Sequence, residues 1–230
     1  MFAWDYTWLL VIPPLILALY AQARVRSAYG RYSKVMASSR LTASQLARQI
    51  LDTRGARDVT VEKIPGQLSD HYDPRKKVLR LSEGVHDSSS LAALGIAAHE
   101  AGHAVQHHEK YAPLAIRNAI YPVASIGSTL AFPLFFIGFI LGQKQGPTWL
   151  MDAGIFLFFG AVLFSVITLP VEFNASKQAL AVLGERGYLN REEMVGARKV
   201  LSAAALTYVA ATAMAVMQLV RMLLIRNSRD

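Results

Sequence analysis

The chain has 230 residues, of which 53% are hydrophobic and only 17% charged, and it carries a formal net charge of +8. A soluble domain has about a quarter of its residues charged, so this composition, with its apolar residues gathered in long runs, points to a membrane protein. The lack of cysteine excludes a disulfide framework, a thiolate metal site and a cysteine nucleophile, leaving His, Asp and Glu to hold any metal. The basic residues are spread around the apolar runs without an aromatic-interleaved stripe, so the expected partner is the lipid bilayer, with no nucleic acid.

In chain order, the first apolar run is Trp8 to Ala23, extendable to Phe2 and long enough for an uncleaved anchor. Pro13 and Pro14 are expected to kink or break it. A polar region follows. Leu41 to Arg54 has helical spacing, with Thr42 and Gln45 as a capping box and Gly55 as its stop. Val59 to Lys63 alternates like a strand, and Leu68 to Tyr72 and Lys77 to Leu81 flank the turn Asp73-Pro74-Arg75-Lys76 as a hairpin. Ser88 to Ser90 can cap a helix from Leu91 to about His108.

The second apolar run, Ile116 to Leu141, is interrupted by Pro122 and Pro133. Gly142 to Pro147 reads as a tight connection to the third run, Trp149 to Leu169, which Pro170 is expected to stop. Asn174 to Leu183 reads as a separate helix broken by Gly184 and Gly187; Asn190 then caps a helix that enters the fourth run, Val200 to Ile225. The expected organisation is an anchor (1–24), a cytosolic α+β region (25–115) and a transmembrane part (116–230) with a cytosolic segment from Glu172 to Lys199. Most lysines and arginines lie in Arg24–Arg117 and Lys177–Lys199; the opposite side holds Lys144, Arg221, Arg226 and Arg229. The positive-inside rule therefore puts both polar regions in the cytosol.

His99-Glu100-Ala101-Gly102-His103 has the pattern H-E-x-x-H on a predicted helix. Residues four apart share a helical face, so His99 and His103 can grip one Zn2+ ion, with Glu100 beside them as general base for an activated water. A catalytic zinc site needs a third protein ligand and an open position. Glu172 is the best candidate, because an acid at a membrane boundary is costly unless paired or metal-bound; a charge favourable to a helix start is the plainer reading. His71 competes as a ligand, and His107 and His108 lie at the end of the motif helix. For an oxyanion the candidates are Asn174, Arg198 and Tyr208, though Tyr208 reads equally as a core aromatic and Arg198 as a juxtamembrane anchor. Leu68 to Tyr72 or Val78 to Leu81 can offer a sheet edge to an extended substrate.

The segments Leu68–Pro74, His99–His107, Leu169–Ser176 and Ala197–Val209 together resemble the YugP-like neutral zinc metallopeptidases of bacterial membranes. A more distant likeness is to the HtpX and CAAX-type membrane peptidases, whose third ligand is a glutamate in E-x-x-x-D. The resemblance implies that Glu172 is a ligand. The bracing aspartate four residues later is replaced here by Ser176, which can hydrogen-bond a ligand but brings no charge.

The expected fold is therefore a membrane α-helical protein of about four hydrophobic helices plus a small α+β, zincin-like unit, with H-E-x-x-H on a helix following a β-hairpin. The resemblance implies hydrolysis of peptide bonds in a bacterial membrane; the expected substrates are membrane proteins or peptides, and the apolar runs and Lys/Arg distribution lead to the expectation of a multi-pass inner-membrane protein with its active site facing the cytosol. Whether the chain forms a homo-oligomer is left open. One rival is an intramembrane, site-2-type protease using Asp152. The other is a non-catalytic zinc-binding or scaffold protein, whose closed metal site would take His71 or His107 as fourth ligand.

Overall fold

A computed structural model describes residues 6–141 and 148–228. The expected connection Gly142–Pro147, the extension of the first run to Phe2, Lys144 and Arg229 lie outside the described residues. The chain separates into two compact units: the described parts of Met1–Tyr20, Ile116–Leu169 and Thr207–Asp230, and Ala21–Ala115 with Pro170–Leu206.

Among the described residues, four helical stretches are long and apolar enough to cross a membrane: Tyr6–Tyr32, Ala112–Leu141, Trp149–Glu185 and Arg191–Asn227. The first begins as a short 3-10 turn, Tyr6–Leu10, followed by α1 (Ile12–Tyr32). Pro13 and Pro14 do not break α1 internally. They sit in its first turn, where their missing N–H groups would have no helical partner. α5 (Ala112–Leu141) runs through Pro122 and Pro133, and α6 (Trp149–Glu185) runs through Pro170. These continuous helices correct the expected interruptions and the expected stop at Pro170. For Pro122 and Pro133, inside an apolar run, a chain that abandoned the helix away from water would leave several polar groups unsatisfied, so losing one bond is the smaller penalty.

The apolar unit packs through small residues. A β-carbon on Gly154 would stand 2.6 Å from the Ala131 carbonyl oxygen, and one on Gly138 the same distance from the Met151 amide. Around this contact Ala131, Phe135, Met151, Phe158, Val162 and Met222 form a core. Ile126, Phe136, Ile140, Phe156 and Phe159 remain exposed, as residues facing lipid tails would be.

The second unit is built around α2 (Ala43–Thr53), the strands β1 (Thr60–Ile64), β2 (His71–Asp73) and β3 (Val78–Ser82), α3 (Glu83–His86) and α4 (Leu91–His108). α2 starts at the expected capping box: Gln45 N–H donates to Thr42 Oγ1 at 3.3 Å, and Thr42 N–H to Gln45 Oε1 at 3.0 Å. It buries Ala43, Leu46, Ala47, Ile50 and Leu51, one apolar stripe of a helix. The sheet is mixed, in the order β1-β3-β2, with β1 parallel and β2 antiparallel to β3. The hairpin turn is held by Asp73, whose Oδ1 accepts from the amides of Arg75 and Lys76 at 3.0 and 3.1 Å.

β2 is shorter than the expected Leu68–Tyr72. Leu68 has a φ of 53°, a left-handed conformation that no strand contains. β3 is the central strand, so Val78 to Leu81 offers no free edge; the edges are β1 and β2. The short helix α3 was not expected. Leu46, Leu51, Leu79, Leu81 and Leu94 are fully buried in the core that joins sheet, α2 and α4. Each contributes about 1.5–3 kcal/mol relative to exposure, and the packing on α2 and α4 gives this short sheet the buried face its stability needs.

α4 is capped as expected by Ser90, whose Oγ accepts from Ala93 N–H at 3.2 Å. Its Gly102 lies against α6: an added β-carbon would stand 3.1 Å from the Ala175 carbonyl oxygen. Ala175, which meets Gly102, and Ala179 are both buried on α6. Close approach of α4 and the end of α6 follows from these small residues. α7 (Arg191–Asn227) starts at the expected cap, where Asn190 Oδ1 accepts from the amides of Glu192 and Glu193.

Candidate metal centre

His99 and His103 lie one turn apart on α4, with ring centroids 4.7 Å apart and nearly perpendicular planes. Their Nε2 atoms face the same carboxylate oxygen. Glu172 Oε2 is 3.2 Å from His99 Nε2 and 3.5 Å from His103 Nε2. Glu172 is 2% exposed, whereas the histidines keep partial access to solvent. The three residues each present one ligand atom, all within 4.8 Å of one another, an arrangement that can hold a metal ion.

Glu172 reaches this position because α6 continues through Pro170. Val171, Glu172, Ala175 and Ser176 then lie within two adjacent turns of the helix, and Gly102 lets this stretch approach α4.

The outer ring nitrogens are also engaged. His99 Nδ1 is 3.1 Å from Ser176 Oγ, so the serine standing in for the aspartate does touch a histidine of the cluster. His103 Nδ1 is 3.0 Å from Gln106 Oε1. Such partners fix ring orientation and leave the inner nitrogens free to ligate. Two imidazole nitrogens and one carboxylate oxygen are a donor set that zinc accepts.

Glu100 is partly buried beside this group. Burial pushes its carboxyl above the usual range; His99 and His103 draw it down, and the nearby charges of Glu172 and Asp70 push it up. Asn174 follows Glu172 by two residues on α6 and meets Gln106, the partner of His103. Its Oδ1 accepts from Gln106 Nε2 at 2.8 Å and from Gln178 Nε2 at 2.7 Å. Arg198 is exposed on α7, and Tyr208 falls in the apolar unit.

The competing histidines are engaged elsewhere. His71 is exposed, with Nδ1 2.8 Å from the Ser69 carbonyl and Nε2 3.4 Å from Arg80 Nη1. His107 Nδ1 is 2.8 Å from the hydroxyl of Tyr72, whose pKa burial pushes up to about 12, so the phenol keeps its proton. Asp152 pairs with Arg226 at 2.8 Å within the apolar unit. Gln106 was not singled out as a functional residue. The signal available was a polar residue three positions after His103, on the same helical face.

The sequence profile of the family described as "Putative neutral zinc metallopeptidase" matches residues 7–227. The chain is also 47% identical to "Putative membrane protease YugP" of Bacillus subtilis (strain 168), over 96% of its own length and 97% of that protein's. The chain belongs to this neutral zinc metallopeptidase family. No solved structure matches it significantly. Membership agrees with the donor set: the family's name implies zinc, and His99, His103 and Glu172 can form the site. The four long apolar helices agree with the relative's description as a membrane protease.

Proposed function

We propose that this chain is a membrane-embedded zinc metallopeptidase that hydrolyses peptide bonds of membrane proteins or peptides. The observation that carries the reading is the convergence of His99, His103 and Glu172, with Glu100 beside them. Zinc bound there supplies a Lewis acid that lowers the pKa of water to about 7. His99 and His103 present Nε2, and Glu172 presents a carboxylate oxygen. Glu100 takes a proton from the attacking water and passes it to the leaving amine. Asn174, two residues after Glu172 on α6, is a candidate to donate from Nδ2 to a developing oxyanion, its Oδ1 accepting from two amides. Arg198 and Tyr208 are the other candidates for that task. The partners are the bilayer and an extended peptide, for which β2 is the sheet edge on the same hairpin.

Zinc held by these three residues would keep a fourth position for water, as catalytic rather than structural zinc requires. Both side chains proposed to close it, His71 and His107, have other partners. The site-2-type alternative needs Asp152 where Glu172 stands. The distribution of Lys and Arg supports a cytosolic site at the bacterial inner membrane.

The test compares detergent-purified wild type with Glu100→Gln for zinc content and for cleavage of casein and membrane-derived peptides. Zinc is expected in both, with cleavage only by the wild type. Equal cleavage by the two would remove Glu100 from the chemistry.

A further inference from the structure

We infer that Gln106 is a positioning residue that sets His103 in its metal-ready tautomer and ties it to the backbone next to Glu172. The inference rests on the zinc reading above and names a residue that the reading does not use.

Gln106 is completely buried on α4. A buried amide must place its oxygen and nitrogen ends against the correct partners, because an unmatched end costs about 1–3 kcal/mol. Its Nε2 lies 2.9 Å from the carbonyl oxygen of Val171 and 2.8 Å from Asn174 Oδ1. A backbone carbonyl can only accept, so the NH2 end of Gln106 faces α6 and its Oε1 faces His103. An amide oxygen can only accept as well. The His103 nitrogen 3.0 Å away, Nδ1, therefore carries the proton and donates it. Nε2, which faces Glu172, is left with the lone pair a metal needs.

The orientation of one imidazole is thus dictated by a main-chain carbonyl through one amide. That carbonyl belongs to Val171, immediately before Glu172. The bond chain His103–Gln106–Val171 crosses from α4 to α6 and couples two of the three ligands. Asn174 and Gln178 extend it, since Asn174 Oδ1 accepts from both glutamine amides. His99 is held differently. Ser176 Oγ can donate or accept, so the hydroxyl adapts to either tautomer. His103 is the preset ligand and His99 the adaptable one.

The test uses full-length protein in detergent with Gln106→Met, which keeps the volume and removes both hydrogen-bonding ends, and Gln106→Glu. The glutamate retains an acceptor for His103 Nδ1–H and, with its other oxygen protonated, one donor toward α6. Zinc affinity is measured by chelator competition, and ligand geometry by the visible absorption of the Co2+-loaded protein. Gln106→Met is expected to weaken zinc binding by about 10- to 100-fold, the usual effect of losing a ligand's outer partner, and to alter the Co2+ spectrum. Gln106→Glu should recover most of both.

Wild-type zinc affinity and spectrum in a folded Gln106→Met would overturn the proposal. If Gln106→Met does not fold, Gln106→Glu decides: affinity as low as that of His103→Ala refutes the role, and near-wild-type affinity supports it. A wild type that binds zinc but cleaves nothing removes the peptidase reading and leaves Gln106 judged by affinity and spectrum. A wild type with no affinity for zinc removes both.

Discussion

Glu172 Oε2 stands 3.2 Å from His99 Nε2, although 73 positions of sequence separate the two residues. The carboxylate is buried and both imidazoles of α4 point at it. Taking an unpaired carboxylate out of water costs several kcal/mol, so this group depends on the cation or protons it shares with the histidines.

Removing that carboxylate should therefore strip the metal. Glu172→Ala is expected to lower zinc affinity beyond the about 10- to 100-fold seen when an outer partner is lost, and to abolish cleavage. Zinc content after dialysis against a weak chelator measures it. Full retention of zinc would take Glu172 out of the ligand set.

Ser176 allows a graded test of His99. Its Oγ lies 3.1 Å from His99 Nδ1. Ser176→Ala should weaken zinc binding by about 10-fold, and Ser176→Asp should strengthen it, because a carboxylate makes the imidazole a better donor. Competition titrations of the two variants should move in opposite directions from wild type.

Gly102 sets the distance between α4 and α6. A β-carbon there would lie 3.1 Å from the Ala175 carbonyl oxygen, a backbone atom with little freedom to move. Gly102→Ala is expected to destabilise the protein by about 1–3 kcal/mol, as overpacking does, and to lower zinc affinity by moving Glu172 outward. Thermal unfolding in detergent, followed with and without zinc, checks both effects. Unchanged unfolding and affinity would show that the helices separate without strain.

A control away from the site is Thr42→Ala. Losing this cap should cost about 1 kcal/mol of stability, seen as faster hydrogen exchange in α2. Zinc affinity should stay at the wild-type level, since α2 supplies no ligand. A large loss of metal would mean that the caps of this unit couple to its site.

Chelation closes the series. Removing metal with 1,10-phenanthroline should abolish cleavage and lower the melting temperature, and added zinc should restore both. A ligand that binds only the folded state stabilises it by about 2.7 kcal/mol at a hundred times its dissociation constant. Cleavage that persists without metal would contradict the proposed chemistry.

Local information in the sequence was enough for much of the fold. The Thr42–Gln45 box, the Ser90 and Asn190 caps, the Asp73 turn and the long apolar runs are written over a few adjacent residues, and each appears as read. So does the pairing of His99 with His103, because helical periodicity alone brings residues four apart together. Local rules failed where surroundings outweigh propensity. Pro170 reads as a stop, yet α6 continues through it to Glu185, because a proline costs a helix one bond and local strain without obliging the next turn to unwind. Leu68 looked like strand, but its left-handed backbone shortens β2. Tertiary structure alone decided that Gly102 meets Ala175, that Ser176 reaches His99, and that Gln106 joins His103 to the carbonyl of Val171. These contacts join α4 to α6 across 65 positions for Gln106 and Val171 and 77 for Ser176 and His99. No periodicity specifies which turn of one helix faces which turn of another; packing of small side chains and the pairing of buried polar groups do.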